Sequence, residues 1–399
     1  MKLTLRTFCF ISWMHRQQTE MNLLLNVSCL SPDNRTGIER FALHITEELR
    51  RIDPSVTCVT ARGYPEYPDA VSSSLLGFTE KSQYGYLARA LWDQTVFRAI
   101  VHRRKPDVVF FPIQDGMLYP PCKQIVTVHD LHYLHFGRSL AECSREIHPF
   151  RKNIYNLKMP HILRHSTAIV AVSEATKCDI VDSFGIAPEK IHVVYNGYDE
   201  HRFKPLENTQ EELGSLGLEA GNYLLCVGSV LRHKNIVKLI KAFSELKSKL
   251  CLVVAGVCKD PEYLDEIMKA ASECGLNETS FRYLKYVSDK ELPCLYAGAR
   301  AFVLPSLHEG FGVPIIEAMA CGTPVITSNC SAMSEVAGDA ALLVDPYSVE
   351  SISVAMIEIL RNQLLVQKLR QAGFERSATF KWKNSASKLY ELCKKVSES

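Results

Sequence analysis

The chain has 399 residues, 47% of them hydrophobic and 23% charged, with a formal net charge of +2. That length exceeds one ordinary core and predicts two domains, and the near balance of charge gives no global reason to expect nucleic acid binding. Fourteen cysteines without a C-x-x-C pair, some inside apolar runs (Cys226, Cys251), read as reduced, mostly buried thiols of a cytosolic protein and exclude a disulfide framework.

No segment approaches the roughly 18 apolar residues that span a bilayer. The run over residues 7–14 is short and lacks a small-residue cleavage site, so residues 1–20 read as an extension and the folded part begins near Met21. A strand is predicted over 22–28. The polar loop after it ends in Gly37, and the spacing of Ile38, Phe41, Leu43, Ile45 and Leu49 predicts a helix over 38–51. That order places backbone amides at the carboxyl edge of a sheet, where open α/β folds bind ligands. A simple tight turn is the other reading of Gly37. Strands follow at 56–60 and 107–111. Between them a helical stretch ends in the basic run 98–105, which includes Arg103. Such a run either faces anionic lipid head groups or is a solvated helix end complementing its dipole. A strand over 124–128 leads into His129, with His132 and His135 at intervals of three, and no Cys or Glu pair completes a metal set there. A strand over 167–172 ends at Ser173, an N-cap for a helix over 174–183 that Gly185 closes. A strand over 191–195 completes this half, and a turn and polar stretch to Gly221 link it to the next.

The second half opens with a buried strand ending at Gly228, a loop holding Ser229, Arg232, His233 and Lys234, and an amphipathic helix to about Leu246. Strand, glycine, loop, lysine and helix form a phosphate geometry: the lysine supplies a point charge and the helix start supplies amides. A surface helix lysine is the plainer reading. Strands are predicted at 251–255 and 280–284, and a helix within 288–297. The stretch 304–327, LPSLHEGFGVPIIEAMACGTPVIT, is the part the rest of the chain serves. It reads as the end of a strand, a Gly-rich loop, a helix starting near Val313 with Pro314 in its first turn, Gly322 as the C′ residue, and a returning strand. Gly310, Phe311, Gly312 and Val313 bring two glycines and a helix start together, which favours a phosphate. Glu309 and Glu317, eight positions apart, accept hydrogen bonds only and suit two hydroxyl-rich groups on either side of a diphosphate. The composite fits a nucleotide sugar, against the alternative of an ordinary helix N-terminus. Another helix, turn and strand follow over 334–344, and a terminal helix is predicted over about 384–395.

HEGFGVPIIEAMACGTPVI resembles the Glu-x7-Glu signature of retaining glycosyltransferases of the GT-B fold, glycosyltransferase family 4 or glycosyl transferases group 1, and the similarity extends from about Met21 onward. The resemblance implies that Glu309 lies against the donor sugar and Glu317 holds the nucleotide ribose. His129, in the V-H-D sequence at a strand end, would face the donor sugar from the first domain, leaving His132 and His135 structural. Gly37 matches the second of two glycines that many members carry, the first being Thr36 here. Lys234 matches the residue that grips the diphosphate. Two departures, His233 for an arginine and Ser229 for a second arginine, make Lys234 the main cation with Arg232 or His233 assisting.

These readings combine into an α/β fold of the GT-B type: two doubly wound, Rossmann-like parallel-sheet domains facing a cleft. The expected division is an extension at 1–20, an acceptor-binding domain at 21–205, a nucleotide-sugar domain at 206–379, and a C-terminal helix at 380–399 that packs back on the first domain. The catalytic residues expected are His129 and Glu309. Donor-binding residues are Gly37, Ser229, Arg232, Lys234, Gly310, Phe311, Gly312, Val313 and Glu317. No cofactor beyond the nucleotide sugar and no metal is expected. The texture T-G-I-E-R-F, H-K-N and H-E-G-F-G-V-P is most like mannosyltransferases that build surface polysaccharide, so GDP-mannose is the expected donor, with UDP-glucose and UDP-N-acetylglucosamine open. The acceptor is a glycan or lipid-linked oligosaccharide, with peripheral contact at the inner membrane face. A nucleotide-sugar epimerase and a non-catalytic partner remain the alternatives.

Overall fold

The computed structural model describes residues 21–30, 37–61, 71–72, 85–131, 134, 149–207 and 209–399. The extension at 1–20, loop residues 31–36, His132 and His135 lie outside them. Of the described residues, those up to Thr127, His161–Ile169 and Ala386–Ser399 form one compact unit, and those of Val128–Pro160 and Val170–Ser385 form another.

The first sheet is built from β1 (Leu23–Asn26), α1 (Gly37–Ile52), β2 (Thr57–Thr60), β3 (Val71–Ser72), α2 (Gly85–Trp92), α3 (Arg98–Arg104), β4 (Val108–Phe111), β5 (Lys123–Val128), α4 (Pro149–His165), β6 (Ala168–Ala171), α5 (Glu174–Phe184) and β7 (Ile191–Val193). Its strand order is β3-β2-β1-β4-β5-β6-β7, with β1 parallel to both β2 and β4. Leu23, Leu24 and Leu25 are all buried, as expected for a strand covered on both faces. Helix α1 buries the stripe Phe41, Ala42, Ile45 and Leu49 and ends in Arg50 and Arg51, which complement its dipole. A π-helical turn over Asp93–Phe97 joins α2 to α3 and turns the buried Asp93 carboxylate onto Asn26 Nδ2, 2.7 Å away. Within this unit, Tyr390 OH donates to Asp53 Oδ2 at 2.7 Å and Lys123 Nζ donates to the Ser397 carbonyl at 2.9 Å, fastening the end of the chain.

The second sheet uses α6 (Gln210–Ser215), β8 (Tyr223–Val227), α7 (Ile236–Ser244), β9 (Cys251–Ala255), α8 (Pro261–Glu273), β10 (Phe281–Leu284), α9 (Glu291–Gly298), β11 (Ala301–Leu304), α10 (Val313–Ala320), β12 (Val325–Ser328), α11 (Ser331–Ala337) and β13 (Ala341–Val344). Helices α12 (Val349–Arg361), α13 (Gln363–Ser377) and α14 (Trp382–Glu398) follow. The strand order β10-β9-β8-β11-β12-β13 repeats the pattern of the first six strands. Its neighbouring strands pair in parallel, β11 to β8 and β12 included. Both sheets are therefore doubly wound, and the order reverses between β8 and β11. In such sheets ligands bind outside the carboxyl ends of the strands at that reversal. The loops that leave β8 and β11 there are the two that carry the predicted phosphate residues.

Candidate functional site

The loop after β8 is short and tightly tied. Arg232–Lys234 forms a 3-10 turn, and Asn235 takes a left-handed conformation with φ +59°. Asn235 Nδ2 donates to the carbonyls of Pro305 at 3.0 Å and Pro346 at 2.7 Å, while the Leu307 amide donates to the His233 carbonyl at 2.7 Å. These bonds join the β8 loop to the β11 loop and aim Lys234 at Glu309. Lys234 Nζ lies 2.6 Å from Glu309 Oε1, with both side chains nearly buried at 11% and 12% exposure. Ser306 Oγ donates to the same oxygen at 2.6 Å. Burial alone would raise the Glu309 carboxyl. The charges of Lys234 and His233, with the hydrogen bonds from Lys234 and Ser306, outweigh it and hold the group below the usual carboxylate range.

A 3-10 turn advances about 120° per residue, so neighbouring side chains leave it in different directions. Arg232 consequently turns to α8. Its Nη1 and Nη2 each donate to Glu266 at 2.8 Å, its Nε donates to Asp260 at 3.1 Å, and the guanidinium lies 5.1 Å from the Tyr263 ring centre. Arg232, expected as a donor-binding cation, makes its side-chain contacts here with α8 and its N-cap Asp260. Ser229 sits half-buried between Gly228 and Val230, in the loop as expected.

Gly310 is the tightest point of the second loop. A Cβ there would fall 1.8 Å from the His129 carbonyl oxygen and 2.9 Å from Asp130 Cβ. The Gly310 carbonyl accepts from Ser173 Oγ at 2.7 Å and Thr176 Oγ1 at 3.2 Å. His129, buried at the end of β5, is thus brought main chain to main chain against the residue after Glu309. Gly312 takes φ +93° to open α10, whose start has Pro314 in its first turn and no side-chain cap. Amides at such a start, including that of Val313, suit an anion. Phe311 lies in the same loop. Its ring is buried, 5.5 Å from Phe380 and 6.0 Å from Tyr195, so only its main chain is left for a ligand. Glu317, one turn into α10, is buried and accepts from Tyr296 OH at 2.9 Å. Gly37 belongs to the first unit, where it is the exposed first residue of α1 with nothing within 4 Å of an added Cβ.

Several residues that sequence spacing did not mark support this loop. Ser331, at φ +54°, places its hydroxyl 2.7 Å from the Glu309 carbonyl and 3.4 Å from the Glu309 amide. His308 Nδ1 is 3.2 Å from Ser331 Oγ, and His308 Nε2 is 3.6 Å from Asp179 Oδ2. The Glu335 carboxylate accepts from the Glu174 and Ala175 amides at 2.9 and 3.1 Å, filling the N-terminus of α5. Among the described residues, no group of three or more His, Cys, Asp or Glu could hold a metal ion, and no helix is long and apolar enough to cross a membrane.

Two family descriptions match successive parts of the chain: "Glycosyltransferase Family 4" over residues 35–202 and "Glycosyl transferases group 1" over residues 208–376. The O-antigen chain mannosyltransferase B of Escherichia coli is 28% identical over 370 residues, covering 88% of this chain and 93% of that protein. A serotype-specific mannosyltransferase of Escherichia coli is 29% identical over 274 residues, 67% of this chain, and the match spans only 32% of that longer protein. Among solved structures, a sucrose-phosphate synthase from Thermosynechococcus elongatus superimposes with a TM-score of 0.76 over 94% of this chain and 99% of its own, at 18% identity.

Proposed function

Because the chain belongs to the glycosyl transferases of group 1 and has their GT-B fold, we propose that it is a retaining hexosyltransferase that moves mannose from GDP-mannose to a glycan or lipid-linked oligosaccharide in polysaccharide synthesis. The observation that carries this reading is the Lys234–Glu309 pair, 2.6 Å apart at the reversal of strand order and next to the uncapped start of α10. The names of the two mannosyltransferase relatives support the choice of sugar.

In this reading the donor diphosphate enters between Lys234 and the α10 start. Lys234 turns from Glu309 to the phosphate, where its charge and the amides of Gly312 and Val313 stabilise the leaving group. Glu317, oriented by Tyr296, accepts from the ribose hydroxyls. Glu309 keeps its hydrogen bond from Ser306 and lies against the sugar, with His129 supplying a second contact. The bond between the sugar carbon and the phosphate oxygen breaks with its electron pair going to the phosphate. The acceptor hydroxyl attacks the same face, and its proton passes to the departing phosphate oxygen. The reaction is metal-independent: the charge that a metal would neutralise falls to Lys234 and the helix start. Residues 21–205 bind the acceptor, residues 206–379 bind the donor, and 380–399 returns to the first domain. The enzyme works in the cytoplasm, with the exposed cations Arg103, Arg104 and Lys105 touching the inner membrane face.

The test is release of nucleoside diphosphate from a panel of GDP- and UDP-sugars in the presence of chelator, with the anomeric configuration of the product read by NMR. Turnover of GDP-mannose with retention is expected. Turnover of a UDP-sugar alone would replace the donor. Interconversion of sugars without an acceptor would replace transfer by epimerisation, and tight nucleotide binding without turnover would make the chain a non-catalytic partner.

A further inference from the structure

Glu309 is held from two sides. Its carboxylate meets Lys234 and Ser306, but its main chain is held by a separate set of groups that the reaction does not use. Ser331 has one hydroxyl proton, and the 2.7 Å contact assigns it to the Glu309 carbonyl. The hydroxyl oxygen then accepts, from the Glu309 amide at 3.4 Å and from His308 Nδ1 at 3.2 Å. His308 is therefore a donor at Nδ1, a tautomer fixed by the hydrogen bonds around it. The Asp179 carboxylate lies 3.6 Å from Nε2, beyond hydrogen-bond length but close enough to set the other end of the ring against α5. The His308 and Asp179 side chains are only 9% and 16% exposed. Asp179 also lies on the turn of α5 that continues from Ser173 and Thr176, which hold the next carbonyl, that of Gly310. Ser331 adopts φ +54°, a conformation a side chain rarely takes, and its hydroxyl thereby reaches both polar groups of one peptide segment.

We propose that Asp179, His308 and Ser331 form a positioning relay that sets the main chain of Glu309 and so fixes its carboxylate against the donor sugar. None of the three touches substrate; they act through Glu309. This rests on the transferase reading above. Without the relay the donor still binds, because Lys234 and the α10 start are intact, but Glu309 is displaced where reacting groups tolerate little error.

The experiment measures steady-state turnover of Asp179→Asn and Ser331→Gly in the full chain, using the sugar nucleotide that the wild type turns over. Ser331→Gly removes the hydroxyl while easing the left-handed backbone, so a loss there belongs to the hydrogen bonds and not to strain. Each variant is expected to lose about 10- to 100-fold in kcat with donor KM nearly unchanged. Asp179→Glu is expected to recover part of the loss. In a Glu309→Gln background, Asp179→Asn should lower the residual rate by less than about twofold, since the group it positions is gone. Nucleoside diphosphate Kd and Tm are recorded for each variant, and Ser331→Gly carries the test if Asp179→Asn melts early. Wild-type kcat in both single variants, or a full additional loss in the Glu309→Gln background, would overturn the relay. A wild type that transfers from no donor would instead overturn the transferase reading, which separates the two failures.

Discussion

Replacing Gly310 with alanine probes the loop at its tightest point. The added Cβ would lie 1.8 Å from the His129 carbonyl oxygen, more than 1 Å inside the 3.0 Å below which real Cβ contacts essentially never occur. Neither partner is a flexible side-chain tip, and the Gly310 carbonyl is pinned by Ser173 and Thr176, so the backbone must shift. Overpacking of this kind costs about 3 kcal/mol, the upper part of its usual range. For a unit of this size that lowers Tm by roughly 6–10 °C. The same shift moves Glu309, the preceding residue, and a displacement near 1 Å lowers kcat by about 100-fold. Gly214→Ala, where nothing lies within 4 Å of the new Cβ, is the control and should leave Tm unchanged or slightly higher. Thermal melts and donor turnover on the three proteins check this. A Gly310→Ala protein with the Tm and kcat of the wild type would refute the argument from close approach.

Arg232→Met leaves Asp260 without its buried cation and should cost about 3 kcal/mol in denaturant unfolding, while donor KM stays at the wild-type value because Arg232 serves α8. Tyr390→Phe removes one of the hydrogen bonds that, against the effect of burial, hold the Asp53 carboxyl low, and should cost about 1.5 kcal/mol on the same measurement. The Glu309 carboxyl is held below the usual carboxylate range, so its contribution to stability is present above that range and is lost as pH falls through the lower folded value. The stability gap between wild type and Glu309→Gln should accordingly be constant near neutrality and close below about pH 4.5, as followed by unfolding at a series of pH values.

Much of the fold was legible because apolar runs and their punctuation are local. The strands at β8, β9 and β11, the Ser173 cap whose Oγ accepts from the Thr176 amide, and the left-handed Gly185 and Gly322 all follow from nearby residues. Helices α8, α12 and α13 carry local markers of the same kind, the N-caps Asp260, Ser348 and Asn362, which the sequence reading passed over, whereas the π-helical turn at Asp93 meets Asn26, 67 positions away. The site divides in the same manner. Loop glycines and the Glu309–Glu317 spacing can be read along the chain. The direction in which a side chain leaves a 3-10 turn cannot, which is why Arg232 read as an assistant to Lys234 although the two point to different partners. Phe311 looked like part of a ligand loop because its flanking glycines are; its ring goes to Phe380, a partner distant in sequence. Asp179, Tyr296, Ser331 and Glu335 went unmarked for that reason too: each matters through a contact that only folding creates.

The most direct test is calorimetric binding of nucleoside diphosphate to Glu309→Gln and to Lys234→Met made in that same background, so that no unpaired buried carboxylate is left to repel the ligand. If Lys234 is the cation of the donor diphosphate, its removal should weaken binding by about 10- to 100-fold, the range of a hydrogen bond to a charged group. Equal affinity in the two proteins would contradict the account and place the diphosphate away from the β8 and β11 loops.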